Sequence, residues 1–420
     1  MAEPRYRTHH GMYDILPDEA ARWRALEKVV HDTAALYGFE EIRTPVMEQT
    51  ELIVRGVGAM SDIVSKEIFA FERGEDHYIL RPECTAPVVR AYIEHHMGQR
   101  GGAQRLYYMG PMFRAERPQK GRQRQFHQFG LEILGAEGPL ADVEAIRFMV
   151  DVVRRIGIRN TTLRLNSIGD PESRDRYRQV LRQTLGPVAG KLSELSQRRL
   201  ERNPLRILDS KEPEDQEWIE RCPSILDYLN EESAAHFEQV KGMLHQAGID
   251  FELTPRLVRG MDYYTRTAFE LTSPDLGSQD ALAGGGRYDL LVEELGGDPT
   301  PAVGFAAGME RLLLACEELS LPLQAPAPLD VYVVTRGDAA KTWTVGALGE
   351  LRDAGISART DYLGRSMKAQ MKEANRENAR YALLVGESEL QEGLFTLRDM
   401  AGSGERKLTW EQALAQLQGV

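Results

Sequence analysis

Residues Phe113–Gly135, which read FRAERPQKGRQRQFHQFGLEILG, predict two strands joined by a long basic loop. Alternate residues of a strand share a face, so the second strand has two different faces. One face predicts an ordinary apolar core and carries His127, Phe129, Leu131 and Ile133. The other has an aromatic ring, an amide, a glycine and a carboxylate, at Phe126, Gln128, Gly130 and Glu132. This second face predicts either a pocket floor, where the glycine leaves room for a ligand, or a chance polar surface.

The loop between the two strands is strongly basic. From Arg114 to Arg124 it contains five cations and one acid, which makes it too long and too charged for a tight hairpin turn. Arginine side chains match phosphate oxygens in a bidentate way, so the loop suits a nucleoside triphosphate or an RNA end. A solvated loop is the alternative, and the neighbouring polar face favours a ligand.

The flanking sequence predicts a sheet surrounded by helices. Helical spacing of apolar residues indicates a helix from Asp18, its possible N-cap, to Tyr37, with Gly38 ending it. Residues Phe39–Met47, interrupted by Pro45, are typical of an edge strand. Further elements are predicted as strands at Glu67–Phe71, Tyr78–Arg81, Leu106–Glu116, Arg124–Leu134, Phe251–Leu253 and Ala268–Thr272, and as a helix at Gly308–Leu319. Together they indicate an α+β domain with a mainly antiparallel sheet.

Two other regions differ in character. Residues 170–246 are charged and poor in strand patterns, which predicts a helical insertion beside the main sheet. The Pro/Ala-rich stretch Leu321–Pro328 is expected to be a linker. Beyond it, strands at DVYVVT, Ile356–Ala358 and YALLVGE alternate with two helices, as in a small α/β domain with a largely parallel sheet. We therefore predict one domain over residues 1–325, which includes the insertion, and a second over 329–420.

The composition limits the class of protein. Hydrophobic residues make up 42% and charged residues 28%, as in soluble globular proteins. No apolar stretch approaches the roughly 20 residues that span a bilayer, and the first residues lack the apolar core of a secretory signal. Cys84, Cys222 and Cys316 form neither a disulfide framework nor a CxxC pattern, so we expect a cytoplasmic protein without its own metal site. At a net charge of −12, any RNA contact must come from local basic patches.

The fixed arginine, basic loop and FHQ-x-G-x-E of residues 113–135 resemble motif 2 of class II aminoacyl-tRNA synthetases, in the form found in histidyl-tRNA synthetases. GFEEIRTPVMEQTEL (38–52) resembles motif 1, a dimer-interface element, and AVGFAAGMERLLL (302–314) resembles motif 3. LVRGMDYYTRTAFE (257–270) and ALAGGGRYDLL (281–291) resemble the two histidine-site segments. NPLRILDSK (203–211) resembles part of the family's insertion, and residues 329–420 resemble its anticodon-binding domain. The likeness thus covers nearly the whole chain.

The resemblance implies a homodimer that uses ATP to convert L-histidine to histidyl-adenylate and then charges the 3′-terminal adenosine of tRNA(His). A carboxylate must attack an anionic α-phosphate, so positioned cations are expected to lower the barrier most. In the family this catalytic role belongs to the residues that match Arg259 and Arg114. ATP binding is implied for Arg114, Glu116, Arg122, Phe126 and Arg311.

Among these ATP residues, Phe126 is expected to stack on adenine and Arg311 to reach the terminal phosphates. Gly304 and Gly308, one helical turn apart, are expected to let a ligand or strand approach closely. Mg²⁺ is expected to bind mainly through the ATP phosphates.

Recognition of histidine requires donors and acceptors matched to imidazole. The resemblance implies a set formed by Glu83, Thr85, Gln128, Glu132, Arg259, Tyr263 and Tyr264. Of these, Glu132 and Tyr264 are implied to contact the imidazole, and Glu83 and Thr85 the α-amino group. The chain has Cys84 where the family usually has glycine, and this cysteine would be strained if the position required a positive φ.

Two basic regions are implied to bind tRNA. Arg117 and Gln119 of the basic loop are expected at the acceptor end, although residue type alone does not say which base they read. In the last domain the cations Lys368, Lys372, Arg376 and Arg380 are spaced by four, with Arg365 a turn earlier, which predicts one basic stripe on a helix. A solvated helix face is the alternative, because Glu373 and Glu377 lie alongside.

Two other functions are compatible with the fold. A synthetase-like regulatory subunit of a short ATP phosphoribosyltransferase usually lacks the anticodon domain and parts of the motifs. An amino-acid sensor or RNA-binding scaffold needs no set of cations around an α-phosphate. The last domain, together with Arg114, Arg259 and Arg311, therefore favours the enzyme.

Overall fold

The chain divides into two units, Met1–Gln324 and Ala325–Val420. The structure is a computed structural model that describes residues 5–58, 62–277, 280–323, 328–402 and 404–419. Residues 324–327 of the expected linker lie outside the described residues.

The first unit is built from two sheets and a set of helices. Its strands are β1 Glu40–Glu41, β2 Met47–Gln49, β3 Phe69–Arg73, β4 Asp76–Leu80, β5 Gln104–Phe113, β6 Gln125–Leu134, β7 Thr162–Ser167, β8 Glu252–Leu253, β9 Thr265–Thr272, β10 Ala281–Arg287 and β11 Ala302–Gly308. Its helices are α1 Pro17–Tyr37, α2 Thr50–Val57, α3 Asp62–Lys66, α4 Thr85–Glu94, α5 Leu140–Arg155, α6 Pro171–Leu185, α7 Glu194–Arg202, α8 Pro213–Glu220, α9 Glu231–Gln246, α10 Leu291–Glu294 and α11 Met309–Glu318.

The large sheet has the strand order β1-β5-β6-β11-β10-β9-β7-β8 within the described residues. It is antiparallel except at its two edges, where β1 pairs with β5 and β7 with β8 in parallel. The predicted antiparallel sheet is confirmed, whereas the edge strand predicted over Phe39–Met47 is reduced to β1 at the sheet edge, followed by an irregular segment that contains Pro45. The predicted strands near residues 67–81 form a separate sheet, β2-β4-β3. The sequence analysis missed β7, β10 and β11.

Helix α1 shows how local sequence sets an element's ends. It begins at Pro17, whose fixed φ suits the first helical position, so the expected N-cap at Asp18 is wrong. Asp18 lies in the first turn, where its charge favours the positive end of the helix. The helix ends at Gly38, which has the left-handed φ of 67° that glycine adopts without strain.

The two faces of the large sheet have different partners. Helices α1, α5, α9 and α11 cover one face in a common apolar core that includes Phe129, Leu131 and Ile133 of β6. The predicted core face of β6 is therefore confirmed. The opposite face carries the tyrosines Tyr108, Tyr264 and Tyr288 and meets the apolar residues of the insertion. Helices α6 to α9 make up most of residues 170–246, as the sequence predicts.

The second unit is an α/β sandwich. Its strands are β12 Val331–Thr335, β13 Ala358–Thr360, β14 Tyr381–Val385, β15 Phe395–Asp399 and β16 Glu405–Leu408, and its helices are α12 Asp338–Asp353, α13 Met367–Arg376, α14 Glu387–Glu392 and α15 Trp410–Gln418. The order is β13-β12-β14-β15-β16. The first three strands are parallel, as predicted, whereas β15 and β16 add an antiparallel extension that the sequence analysis did not find.

Candidate active site

A cleft of about 800 Å³ lies over the polar face of the large sheet. Its floor comes from β6, β10 and β11, and one wall comes from the insertion and the irregular segment before β9. The cleft brings together most of the residues that the sequence singles out, namely Glu83, Thr85, Arg114, Glu116, Arg122, Phe126, Gln128, Arg259, Tyr263, Tyr264 and Arg311. Side chains from six separate segments therefore meet at one site.

Glu132 lies beneath the cleft floor rather than on its surface. Its side chain is fully buried and accepts a hydrogen bond from Thr85 Oγ1 at 2.8 Å and another from the Tyr288 hydroxyl. A Cβ on Gly304 would overlap this carboxylate, so that glycine makes room for Glu132. Burial raises the pKa of Glu132 to about 8, although both hydrogen bonds favour the ionised form.

Three glycines of the floor have roles that differ from those expected. A Cβ on Gly130 would overlap the Tyr108 ring, so the space above Gly130 is filled by the protein and is not free for a ligand. Gly304 and Gly308 both belong to strand β11, so their description as one helical turn apart is wrong. A Cβ on Gly308 would meet only Arg311, at 3.7 Å, which is ordinary contact.

The segment before α4 is ordered by Glu83. Its carboxylate accepts hydrogen bonds from the backbone N–H of Thr85 at 2.7 Å and of Ala86 at 2.9 Å, so it satisfies the first turn of the helix. Burial raises the pKa of Glu83. Cys84 has a φ of −122°, so the expected strain at this position is absent. Its buried thiol lies 3.4 Å from Thr44 Oγ1, and burial raises its pKa to about 12.

Cations and an aromatic ring border one side of the cleft, where the sequence predicts the nucleotide. The guanidinium of Arg114 lies 5.1 Å from the centre of the Phe126 ring, and its Nε donates to the Pro82 carbonyl at 3.0 Å. Burial lowers the pKa of Arg114. Arg122 is paired with Glu116 at 3.2 Å. The two ends of the basic loop thus place two guanidinium groups and one carboxylate in the cleft.

Arg259 lies across the cleft and is held by β9 and β10. Its Nη1 donates to Glu270 Oε2 at 2.8 Å, and its side chain is 17% exposed. A Cβ on Gly284 would overlap the guanidinium, so this glycine of β10 creates the space that Arg259 occupies. The neighbouring Tyr263 and Tyr264 rings pack against each other in a tilted arrangement, with 4.6 Å between centroids and 47° between ring planes.

The basic loop folds back on helix α11. Gln119 and Arg122 pair through both backbone N–H groups, at 2.9 and 3.0 Å, so the loop contains the kind of tight turn that the sequence analysis excluded. Gly121 has a φ of 74° at this turn and accepts from Arg311 Nε at 3.4 Å. Arg311 Nη1 also donates to the Ala281 carbonyl at 2.7 Å. Arg117 and Gln119 are exposed and do not line the main cleft.

Several polar atoms of the floor have no protein partner among the described residues. The buried Gln128 Oε1, Arg259 Nε and Tyr108 hydroxyl belong to this group. Buried polar groups of native proteins are almost always hydrogen-bonded, and Gln128 and Arg259 line the cleft, so their two atoms are compatible with a polar ligand there, whereas Tyr108 does not line the cleft. The structure also adds Tyr288 and Glu270, which contact Glu132 and Arg259, and Tyr108, which packs against Gly130. Tyr288 and Glu270 lie in quoted segments but were given no role there, and only Tyr108 had no signal in the sequence.

In the second unit the basic stripe is only partly confirmed as a continuous cationic surface. Arg365 is paired with Asp361 and Glu373, and Arg376 also pairs with Glu373. Lys368 and Lys372 are exposed on α13. Within the part of the chain that the structure describes, these two lysines form no ion pair with an acidic side chain. Arg380 lies beyond the end of α13 and pairs with Asp330, so the predicted stripe on the helix does not include it.

The large sheet is mainly antiparallel, and its β5–β6 hairpin, which contains Arg114 and Glu132, lies next to β11 and α11. This arrangement defines a class II aminoacyl-tRNA synthetase. The family model described as "Histidyl-tRNA synthetase" matches residues 11–312, and one described as "Anticodon binding domain" matches 330–419. The chain belongs to the histidyl-tRNA synthetase family.

Similar proteins extend over the whole chain. It is 48% identical to the histidine–tRNA ligase of Chloroherpeton thalassium over 419 residues, which cover 99% of this chain and 98% of that protein. It is also 48% identical to that of Prosthecochloris aestuarii, with 98% and 99% covered. The crystal structure of apo histidyl-tRNA synthetase from S. aureus has a TM-score of 0.83 at 37% identity, with 100% of both chains covered. None of the described helices is long and apolar enough to cross a membrane.

Proposed function

We propose that this protein is a histidine–tRNA ligase, which activates L-histidine with ATP and transfers it to the 3′-terminal adenosine of tRNA(His). The observation that carries the proposal is the cleft, in which Arg114, Arg259 and Arg311 surround a floor that contains uncompensated polar atoms. The relatives named as histidine–tRNA ligases support the amino acid and the tRNA.

The cations carry the first chemical step. A carboxylate oxygen of histidine attacks the α-phosphorus, and pyrophosphate leaves. Arg114 and Arg259 approach the α-phosphate from opposite sides of the cleft and balance the charge that increases there. Glu270 fixes the Arg259 guanidinium through the 2.8 Å ion pair, so little reorganisation is needed as the reaction proceeds. Arg311 binds the terminal phosphates from the start of α11.

The nucleotide base and the metal use the same side of the cleft. Phe126 stacks on adenine, while Glu116 and Arg122 contact the rest of the nucleotide. Mg²⁺ prefers oxygen ligands and keeps several waters, so the ATP phosphates supply most of its ligands. The Glu116 carboxylate is an oxygen donor that this chain offers on the nucleotide side of the cleft.

Histidine is recognised by the floor. Glu132 and Tyr264 bind the imidazole, and Tyr288 and Thr85 orient the Glu132 carboxyl. Glu83 and Thr85 bind the α-amino group, while Gln128, Arg259 and Tyr263 complete the amino-acid pocket. An analogue without matching imidazole nitrogens forms fewer hydrogen bonds with the polar groups of this pocket, which penalises the wrong amino acid.

The tRNA is bound by two surfaces. Arg117 and Gln119 of the exposed loop contact the acceptor end. Arg365, Lys368, Lys372 and Arg376 of the second unit contact the rest of the tRNA, and such phosphate contacts position the RNA without reading its sequence. The protein acts as a cytoplasmic homodimer, and its three buried free cysteines are compatible with a reducing compartment.

Histidine-dependent exchange of pyrophosphate into ATP tests the proposal. We expect exchange with histidine and none with the other amino acids, followed by charging of tRNA(His) on addition of the RNA. Absence of exchange by folded wild-type protein would refute the enzymatic function. Exchange without tRNA charging would refute only the ligase assignment.

A further inference from the structure

The segment that carries Arg259 and Tyr264 has no regular secondary structure. Residues 257–264, called here the histidine loop, lie between the insertion and the start of β9. A helix or strand fixes its side chains through its own backbone hydrogen bonds, whereas this loop depends on contacts with its surroundings. The positions of Arg259 and Tyr264 therefore depend on what holds the loop.

Insertion side chains hold the loop through its carbonyl groups. Arg206 Nη2 donates to the Gly260 carbonyl at 2.6 Å. Arg174 Nη1 donates to the Tyr264 carbonyl at 2.8 Å and to the Asp262 carbonyl at 3.4 Å. The insertion thus contacts two separate backbone carbonyl groups of the loop, one at the residue after Arg259 and one at Tyr264 itself.

The Asp262 side chain adds a charged attachment. Its Oδ1 accepts from Arg206 Nη2 at 3.0 Å and from Asn203 Nδ2 at 3.2 Å. On the other side, the Asp262 backbone N–H donates to the Val57 carbonyl at the end of α2, at 3.2 Å. The Arg206 side chain is 10% exposed and that of Asp262 32%, so the ion pair is shielded from solvent mainly on the arginine side.

We propose that Arg206, assisted by Arg174 and Asn203, is a positioning residue of the insertion that fixes Arg259 and Tyr264 for adenylate formation. The inference rests on the proposed function and assigns a role in the first chemical step to the insertion. Arg206 touches neither Arg259 nor Tyr264 with its side chain and acts through the backbone between them. Because a displacement of about 1 Å at a catalytic group costs about 10²-fold in rate, a small shift of the loop is sufficient.

The test compares Arg206→Ala, Arg206→Lys and Asp262→Asn with wild type in histidine-dependent pyrophosphate exchange, normalised by active-site titration. We expect kcat to fall about 10²-fold in Arg206→Ala, while the calorimetric Kd for histidine changes less than about tenfold. Arg206→Lys should recover part of kcat, because an ammonium retains one donor. Asp262→Asn preserves side-chain volume and should lower kcat even if Arg206→Ala does not fold.

Tyr177→Phe is the matched control, since it removes one part-buried hydrogen bond, 2.7 Å to the Pro223 carbonyl, that lies inside the insertion and does not involve the loop. It should leave kcat unchanged. Hydrogen exchange should become faster in residues 257–264 of Arg206→Ala but not of Tyr177→Phe. Equal kcat in wild type and the Arg206 and Asp262 variants, or an equal loss in Tyr177→Phe, overturns the positioning role. Absence of exchange in the wild type overturns the proposed function and this inference together.

Discussion

At the scale of single residues, Glu132 combines full burial with two hydrogen bonds and no cation beside it. Burial raises its pKa from 4.5 to about 8, so the folded protein holds this proton at pH values where the unfolded chain has released it. The folded state binds more protons than the unfolded state between these two values. The stability contributed by Glu132 is therefore full below the unfolded pKa and falls as the pH rises towards 8.

Glu132→Gln tests this sign, because glutamine has the same shape and no titration. From pH 5 to pH 8 the free energy of unfolding should shift in favour of the variant by up to about 1.4 kcal/mol per pH unit, and the difference should be constant above pH 8. Urea unfolding of both proteins at each pH measures it. A difference that does not change with pH would mean that Glu132 is ionised throughout. Loss of histidine binding should accompany the substitution at every pH.

Arg259→Ala tests electrostatic catalysis directly. The guanidinium stabilises charge that develops only as the α-phosphate is attacked, so its loss should lower exchange kcat by about 10² to 10³-fold. The calorimetric Kd for histidine should change far less. Arg256→Ala is the control, because Arg256 also lines the cleft but is bound to the Glu220 carbonyl at 2.9 Å. Equal losses in kcat and in histidine affinity for Arg259→Ala would indicate a purely structural role.

At the scale of elements, strand β10 places Gly284 where the Arg259 side chain needs space. In Gly284→Ala the new methyl group would overlap a flexible side chain, so the fold should persist while Arg259 moves. We expect exchange kcat to fall about tenfold or more, with the thermal midpoint almost unchanged. Gly242→Ala in α9, where a Cβ meets nothing within 4 Å, should retain full activity. Unchanged kcat in Gly284→Ala would show that the Arg259 guanidinium can act equally well from another position.

Helix α13 permits a comparison between paired and unpaired cations. Lys368→Ala with Lys372→Ala should raise the KM for tRNA about tenfold and reduce its dependence on salt, because two phosphate contacts are lost. Exchange without tRNA should not change. Arg365 and Arg376 both pair with Glu373, so removing them also leaves the Glu373 carboxylate without its cations. The free carboxylate should repel the tRNA phosphates and weaken tRNA binding, with less change in how that binding depends on salt concentration. Unchanged charging kinetics in the lysine variant would make the stripe a solvated surface.

At the scale of the whole molecule, sequence patterns predict elements whose residues repeat at a regular spacing. They miss contacts between segments that are far apart in the sequence. Strand alternation identified the core face of β6 and the polar residues Gln128 and Glu132. It misassigned Gly130, because Tyr108, which fills that space, belongs to the neighbouring strand. The contact between Arg206 and Asp262 joins residues 56 positions apart and has no periodic signal. The catalytic residues became recognisable through motif likeness, since each segment alone is also compatible with a structural role.

Sequence patterns also say little about assembly, because an interface between two copies appears in a single chain only as exposed surface. In the first unit Leu36, Val46 and Met47 are 67%, 36% and 46% exposed, and the last two lie in the segment that resembles motif 1. Single exposed apolar side chains are ordinary on a protein surface, so the proposed homodimer rests on the likeness of residues 38–52 to motif 1.

Sedimentation equilibrium tests the dimer. Wild type at micromolar concentration should have a mass about twice 47.3 kDa. Met47→Glu places a charge in the contact, so its mass should fall towards that of one chain on dilution, with a parallel loss of exchange activity. Val345→Glu is the matched control, since Val345 is 74% exposed in the second unit, outside the motif 1 segment. A monomeric wild type would mean that a single chain is the active form. Equal dissociation of the Met47→Glu and Val345→Glu variants would mean that the interface lies elsewhere.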